Sequence, residues 1–117
     1  MSTFSGPGID VDTARVAEAL ADGDATVVDV REGYEREAGY IEGTRHIELE
    51  RLASQADTID RDRPVIFQCR MGSRSAMAAQ AFRAAGYEAY SLDGGIQRWD
   101  DEGRPLAPDG QGTVADH

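Results

Sequence analysis

The chain has 117 residues, enough for one domain with a core of ordinary size and too few for two catalytic domains in tandem. Twelve basic residues against 22 acidic ones leave a formal net charge of −10, which argues against a basic face for nucleic acid or for an anionic membrane surface. No apolar run approaches the ~18 residues of a membrane span, and residues 1–8 lack the basic and apolar regions of a signal peptide. The single cysteine, Cys69, excludes an internal disulfide and a multi-cysteine zinc site. A lone thiol fits a reducing cytoplasm, and any transfer chemistry at it must be completed by a partner molecule. All twelve basic residues are arginine. With many Asp, Glu, Ala and Gly residues, this balance points to a halophilic protein, whose acidic self-repulsion is screened in concentrated salt.

Residues 1–8 read as a flexible N-terminus. Asp12 is placed to cap a helix over Thr13–Ala21, with Val16 and Leu20 on one face. Ala25–Val30 is a short apolar, β-branched run between turn signals and reads as a buried strand. The polar stretch Glu32–Ala38 reads as a short helix, residues 39–43 as a loop with two glycines, and His46-Ile47 as a very short strand. Leu49, Leu52, Ala53 and Ala56 have helical spacing. Pro64–Cys69 is the second clear strand. It is followed by a tight turn at Arg70-Met71-Gly72, and then by a helix from Ser73 or Arg74 to about Ala85. A further strand spans Glu88–Leu92, and a last helix carries Ile96 and Trp99, with Trp99 as a core anchor. From Gly103 onward Pro, Gly and Asp dominate, so residues 104–117 read as a flexible tail after a domain spanning 9–103.

Alternating strands and helices define an α/β domain with a mainly parallel sheet, whose ligands sit beyond the carboxyl ends of the strands. Three strand ends are polar or glycine-rich: Asp29-Val30-Arg31, Cys69-Arg70-Met71-Gly72 and Asp93-Gly94-Gly95. Cys69 lies where a strand gives way to a loop opening a helix. Helix starts carry outward N–H groups and a partial positive charge, so they favour an anion, here a thiolate. Arg70 and Arg74 add positive charge, Ser73 and Ser75 add hydroxyls, and Gly72 permits the sharp turn. This context outweighs the bland reading of Cys69 as a small apolar core residue.

In family order and spacing, four segments resemble the rhodanese family of single-domain sulfurtransferases. They are Val28-Asp29-Val30-Arg31, Gly39-Tyr40-Ile41-Glu42-Gly43-Thr44, Cys69-Arg70-Met71-Gly72-Ser73-Arg74-Ser75, and Leu92-Asp93-Gly94-Gly95-Ile96 with Trp99. The resemblance covers roughly Ile9 to Gly103, and its specific part is the Cys-Arg-x-Gly-x-Arg-Ser loop. It implies a central five-stranded sheet flanked by helices and a persulfide mechanism. Cys69 would take the outer sulfur of thiosulfate or a related donor and pass it to a thiol or a sulfur-relay protein. The backbone N–H groups of Arg70, Met71, Gly72, Ser73, Arg74 and Ser75 would cradle the sulfur. No cofactor and no metal are implied.

Cysteine phosphatases use Cys-x5-Arg, whereas Arg74 lies five positions after Cys69 here, as Cys-x4-Arg. The smaller loop suits a sulfur atom better than a phosphate, so a phosphatase or an arsenate reductase is disfavoured. The principal alternatives are an interaction module of the same fold without turnover, and a carrier dedicated to one relay partner. Tyr40, His46 and Gln68 depart from the family pattern, where His, Asn and an aromatic residue are common. Asp29 and Arg31 are expected to hold loops together near the site, Gly94 and Gly95 to permit a tight turn beside it, and His46 to be structural or exposed rather than a general base.

Overall fold

A computed structural model describes residues 8–115. Five strands form one sheet: β1 (Asp10–Val11), β2 (Thr26–Asp29), β3 (Arg45–His46), β4 (Val65–Gln68) and β5 (Ala89–Leu92). Their order is β1-β5-β4-β2-β3 and every pairing is parallel. Between them lie α1 (Thr13–Asp22), α2 (Gly33–Ala38), α3 (Leu52–Gln55), α4 (Ser73–Ala84) and α5 (Gly95–Asp101). The expected five-stranded α/β fold is therefore present.

The strands alternate their side chains between two packed layers. On one face Val28, Val30, Val65, Phe67, Cys69 and Ala89 pack with Leu52 of α3 and with Ala78, Ala79 and Phe82 of α4. On the other, Val27, Ile66, Tyr90 and Leu92 meet Val16 and Ala19 of α1 and Ile96 and Trp99 of α5. Burial on both faces explains why β2, β4 and β5 are short apolar runs rather than alternating ones.

Local chemistry sets the helix ends. The Asp12 carboxylate accepts a hydrogen bond from the Arg15 N–H at 2.8 Å, which caps α1 as its sequence indicates. The span from Leu49 to Thr58 is a short α-helix between two single 3-10 turns rather than one continuous helix. β1 has only two residues, too few for a period to register in the sequence, and it forms because β5 supplies its partners: Ser91 and Asp93 N–H groups donate to the carbonyls of Ile9 and Val11, each at 2.8 Å.

The flexible tail expected over 104–117 is corrected for residues 104–115. Ala107 and Tyr40 exchange backbone hydrogen bonds, and the Thr113 N–H donates to the Ala38 carbonyl at 2.8 Å. Leu106 is buried in the layer that holds Trp99, whose indole N–H donates to the Pro105 carbonyl at 2.9 Å. The Pro and Gly content suggested looseness, but Leu106 and Ala107 bring apolar surface and the loop after α2 offers unpaired backbone groups. The expectation for the N-terminus lies, except for Gly8, outside the described residues, as does that for residues 116–117.

Candidate active site

Cys69 follows the last residue of β4, and its side chain is 1% exposed. The chain then turns through Arg70-Met71-Gly72, with Gly72 at φ +111°, and enters α4 at Ser73. That turn folds the backbone around the sulfur. Sγ accepts the Gly72 N–H at 3.1 Å and the Ser75 N–H at 3.4 Å, and the Ser75 hydroxyl lies 3.5 Å away. No side chain caps α4 at Gly72. The sulfur takes one of the first-turn N–H groups that a helix leaves without an intrahelical acceptor. Ser73 and Arg74 share that first turn, so their N–H groups lie at the same positive helix end. Ser73 is exposed, and Met71 stands out from the turn at 60% exposure.

A second tier fixes the loop from below. Ser75 Oγ lies 2.7 Å from Ser91 Oγ on β5 and donates to the Gly72 carbonyl at 3.2 Å. The first residues of α5 donate to the loop's carbonyls, Ile96 N–H to Cys69 at 2.9 Å and Gln97 N–H to Arg70 at 3.0 Å. The two backbones touch at Gly95, where a Cβ would stand 2.4 Å from the Arg70 carbonyl oxygen and 2.6 Å from that of Cys69. Gly94 forms the turn ahead of it, as expected from Asp93-Gly94-Gly95.

Asp29 and Arg31 do not contact the thiol. Both are fully buried, and the Arg31 guanidinium grips Asp29 through Nε at 2.9 Å and a terminal nitrogen at 2.8 Å. It also donates to the carbonyls of Gly39 at 2.8 Å and Glu35 at 3.3 Å, so the pair ties the end of β2 to the middle of α2 and to the residue that follows it. From α2 the network continues through Glu35, fully buried, whose two carboxylate oxygens accept from Arg74 at 2.8 and 3.1 Å. The Arg74 guanidinium is thereby held charged. Its pKa is raised above the usual arginine value chiefly by the hydrogen bond to Glu35, against a smaller opposing effect of burial. Arg74 thus contributes its backbone to the loop, while its guanidinium is already engaged.

Three participants are hard to see in the sequence. Glu35 sits in a polar stretch that resembles a solvated helix, and only its four-residue spacing from Arg31 hints otherwise. Ser91 is one polar residue in an apolar strand, and the register Phe67–Ser91 is what brings it beneath the loop. The role of the α5 backbone leaves no side-chain signal at all. His46 places Nε2 2.7 Å from the Arg31 carbonyl. Gln68 belongs to the sheet face opposite Cys69, beside Asp29, so its amide does not line the cradle. Among the described residues no group of three or more His, Cys, Asp or Glu side chains is placed to hold a metal ion, and no helix is long and apolar enough to cross a membrane.

The fold and the site together define a parallel α/β domain whose central strand ends in a thiol, cradled by the loop that opens a helix. The rhodanese-like domain family model matches residues 12–102, and the chain belongs to that family. It is 38% identical over 84 residues to the thiosulfate sulfurtransferase GlpE of Pseudomonas fluorescens, covering 71% of this chain and 77% of that protein. It is 30% identical over 97 residues to the putative sulfurtransferase YtwF of Bacillus subtilis, covering 82% and 94%. With the uncharacterized protein YqhL of the same organism it shares 42% identity over 76 residues, and there it spans 60% of the relative's length. Among solved structures, a rhodanese-related protein from Thermoplasma volcanium superposes with a TM-score of 0.78 at 31% identity, covering 84% of this chain and 96% of the other.

Proposed function

We propose that this protein is a sulfurtransferase that carries a sulfane sulfur on Cys69, with thiosulfate or a related persulfide as donor and a thiophilic molecule as acceptor. The observation that carries the reading is the cradle at Sγ, where two backbone N–H groups already point at the sulfur. Preorganised donors of this kind stabilise negative charge without reorganising during the reaction. The Cys69 thiolate attacks the outer sulfur of thiosulfate, a Cys69–sulfur bond forms, and sulfite departs with the electron pair of the broken S–S bond. The new terminal sulfur then occupies the mouth of the loop, where the first-turn N–H groups of α4 neutralise its charge. An acceptor nucleophile attacks that sulfur and the Cys69 thiolate is returned. Both steps are displacements at sulfur, so neither needs an external oxidant or reductant.

The likeness to GlpE supports thiosulfate as the first donor to try. The test is the intact mass of the protein in high KCl after thiosulfate treatment, beside Cys69→Ala. One extra sulfur on the wild type alone, released by cyanide as thiocyanate, is the expected result. No added sulfur with thiosulfate, mercaptopyruvate or a persulfide-charged protein would move the interaction-module reading ahead. We place the reaction in a reducing cytoplasm, where a lone thiol stays free for exchange.

A further inference from the structure

We propose that the acceptor is a protein, and that it docks through an amphipathic segment carrying basic residues beside its thiol, laid along a trough between α4 and the Leu49–Ala56 region. This inference rests on the sulfur-transfer reading of Cys69. The trough has a volume of about 420 Å³ and its lining is predominantly apolar. One wall is the Met77, Ala81 and Ala85 side of α4, and the other is Leu49, Leu52 and Ala56. Met77, Ala81 and Ala85 recur every fourth residue and all are exposed, with Met77 at 59%. Exposed apolar surface in one contiguous strip marks a contact site more often than a scattered residue does. Met77 to Ala85 spans ~12 Å of helix axis, about two turns, the length over which an amphipathic helix presents its anchors to a groove.

The charge at the head of the trough selects the partner. Leu49 is shared with a second cavity of about 290 Å³, lined also by Glu32, Glu48, Glu50, Val30 and Arg74. That cavity abuts the cradle: Arg74 belongs to the loop, and the Val30 N–H donates to the carbonyl of Gln68, the residue before Cys69, at 2.9 Å. Its one lining cation, Arg74, is already paired with Glu35, and Glu48 lies 3.6 Å from Arg51 beyond the lining, so the carboxylates of the lining leave it net negative. A groove that is apolar along its length and acidic at the reactive end complements a segment with an apolar face and arginine or lysine next to its cysteine. A second copy of this chain, at a net charge of −10, is a poor occupant of the same acidic head.

The test uses the full chain and two synthetic amphipathic peptides with the same apolar face. One carries arginines and the other glutamates beside a serine in the cysteine position, and each bears a fluorescent label for anisotropy at ~0.1 M KCl, where the Debye length is ~10 Å. The arginine peptide should bind, and the glutamate peptide at least about tenfold more weakly. Ala81→Glu, an exposed change to a good helix former, should weaken the arginine peptide about tenfold by placing a charge against its apolar face. Glu50→Arg, on a separate exposed turn, should shrink the preference between the peptides. Equal binding of the two peptides, an Ala81→Glu protein that binds like the wild type, or a dimer in sedimentation that Ala81→Glu dissolves would overturn the proposal. Thiosulfate loading of Cys69, read by mass on the same preparation, separates the two claims. Peptide binding without loading removes the sulfur chemistry and keeps the surface, and loading without peptide binding does the reverse.

Discussion

The Arg74 guanidinium lies 2.8 and 3.1 Å from the two oxygens of Glu35, so the cation in the first turn of α4 is neutralised inside the protein. A cation at a helix N-terminus opposes the helix dipole, and Glu35 offsets that cost by supplying a buried carboxylate on the same spot. Glu35 in turn accepts the Glu32 N–H at 3.0 Å, which closes the N-terminus of α2. One carboxylate therefore ties α2 to the loop around Cys69. Glu35→Gln keeps the shape but leaves Arg74 without its anion, and breaking a buried pair in this way costs ~3 kcal/mol. The expected outcome is a lower urea midpoint with unchanged slope, together with slower persulfide formation. A variant that loses stability but loads sulfur at the wild-type rate would make the pair purely structural.

Among the secondary elements, α5 is the one whose contribution to the site is entirely backbone. Its first N–H groups hold the carbonyls of Cys69 and Arg70, and the close approach depends on Gly95, at φ +63°, having no Cβ. Gly95→Ala must pay for a left-handed alanine, ~1–2 kcal/mol, and must also push the Arg70 carbonyl away. The second effect moves the cradle itself. The variant should therefore lose most persulfide formation even at temperatures where circular dichroism still reports a folded protein. Wild-type loading in folded Gly95→Ala protein would show that the loop tolerates displacement. The tail belongs to the same scale: residues 104–115 act as a strap whose Leu106 completes the layer over α1 and α5.

Across the whole molecule the dominant property is charge. At −10 the protein's field opposes the approach of an anion such as thiosulfate and favours that of a cation. Raising KCl from 0.1 to 1 M shortens the Debye length from ~10 to ~3 Å. The rate of Cys69 loading by thiosulfate should rise across that range, and stopped mass samples at graded KCl measure it directly. A loading rate that falls steadily with KCl would contradict a field-limited donor step.

The α/β class, four of the five strands, and the loop from Cys69 to Ser75 were legible in the sequence because each is a local pattern. Apolar runs mark strands buried on both faces, and a strand that ends in Cys-Arg-x-Gly puts the thiol at a helix start. Asp29 and Arg31 were legible as loop-holding residues, since they are polar groups just past an apolar strand. What tertiary structure alone decided is everything that depends on two distant segments meeting. Glu35 reaches Arg74 across 39 positions, Ser91 comes beneath Ser75 through the pairing of β4 with β5, and β1 exists because β5 completes its hydrogen bonds. The tail is held because Ala107 finds the backbone of Tyr40. Local sequence encodes dihedral preference and burial pattern, whereas partners for buried polar groups are assigned only when the chain closes on itself.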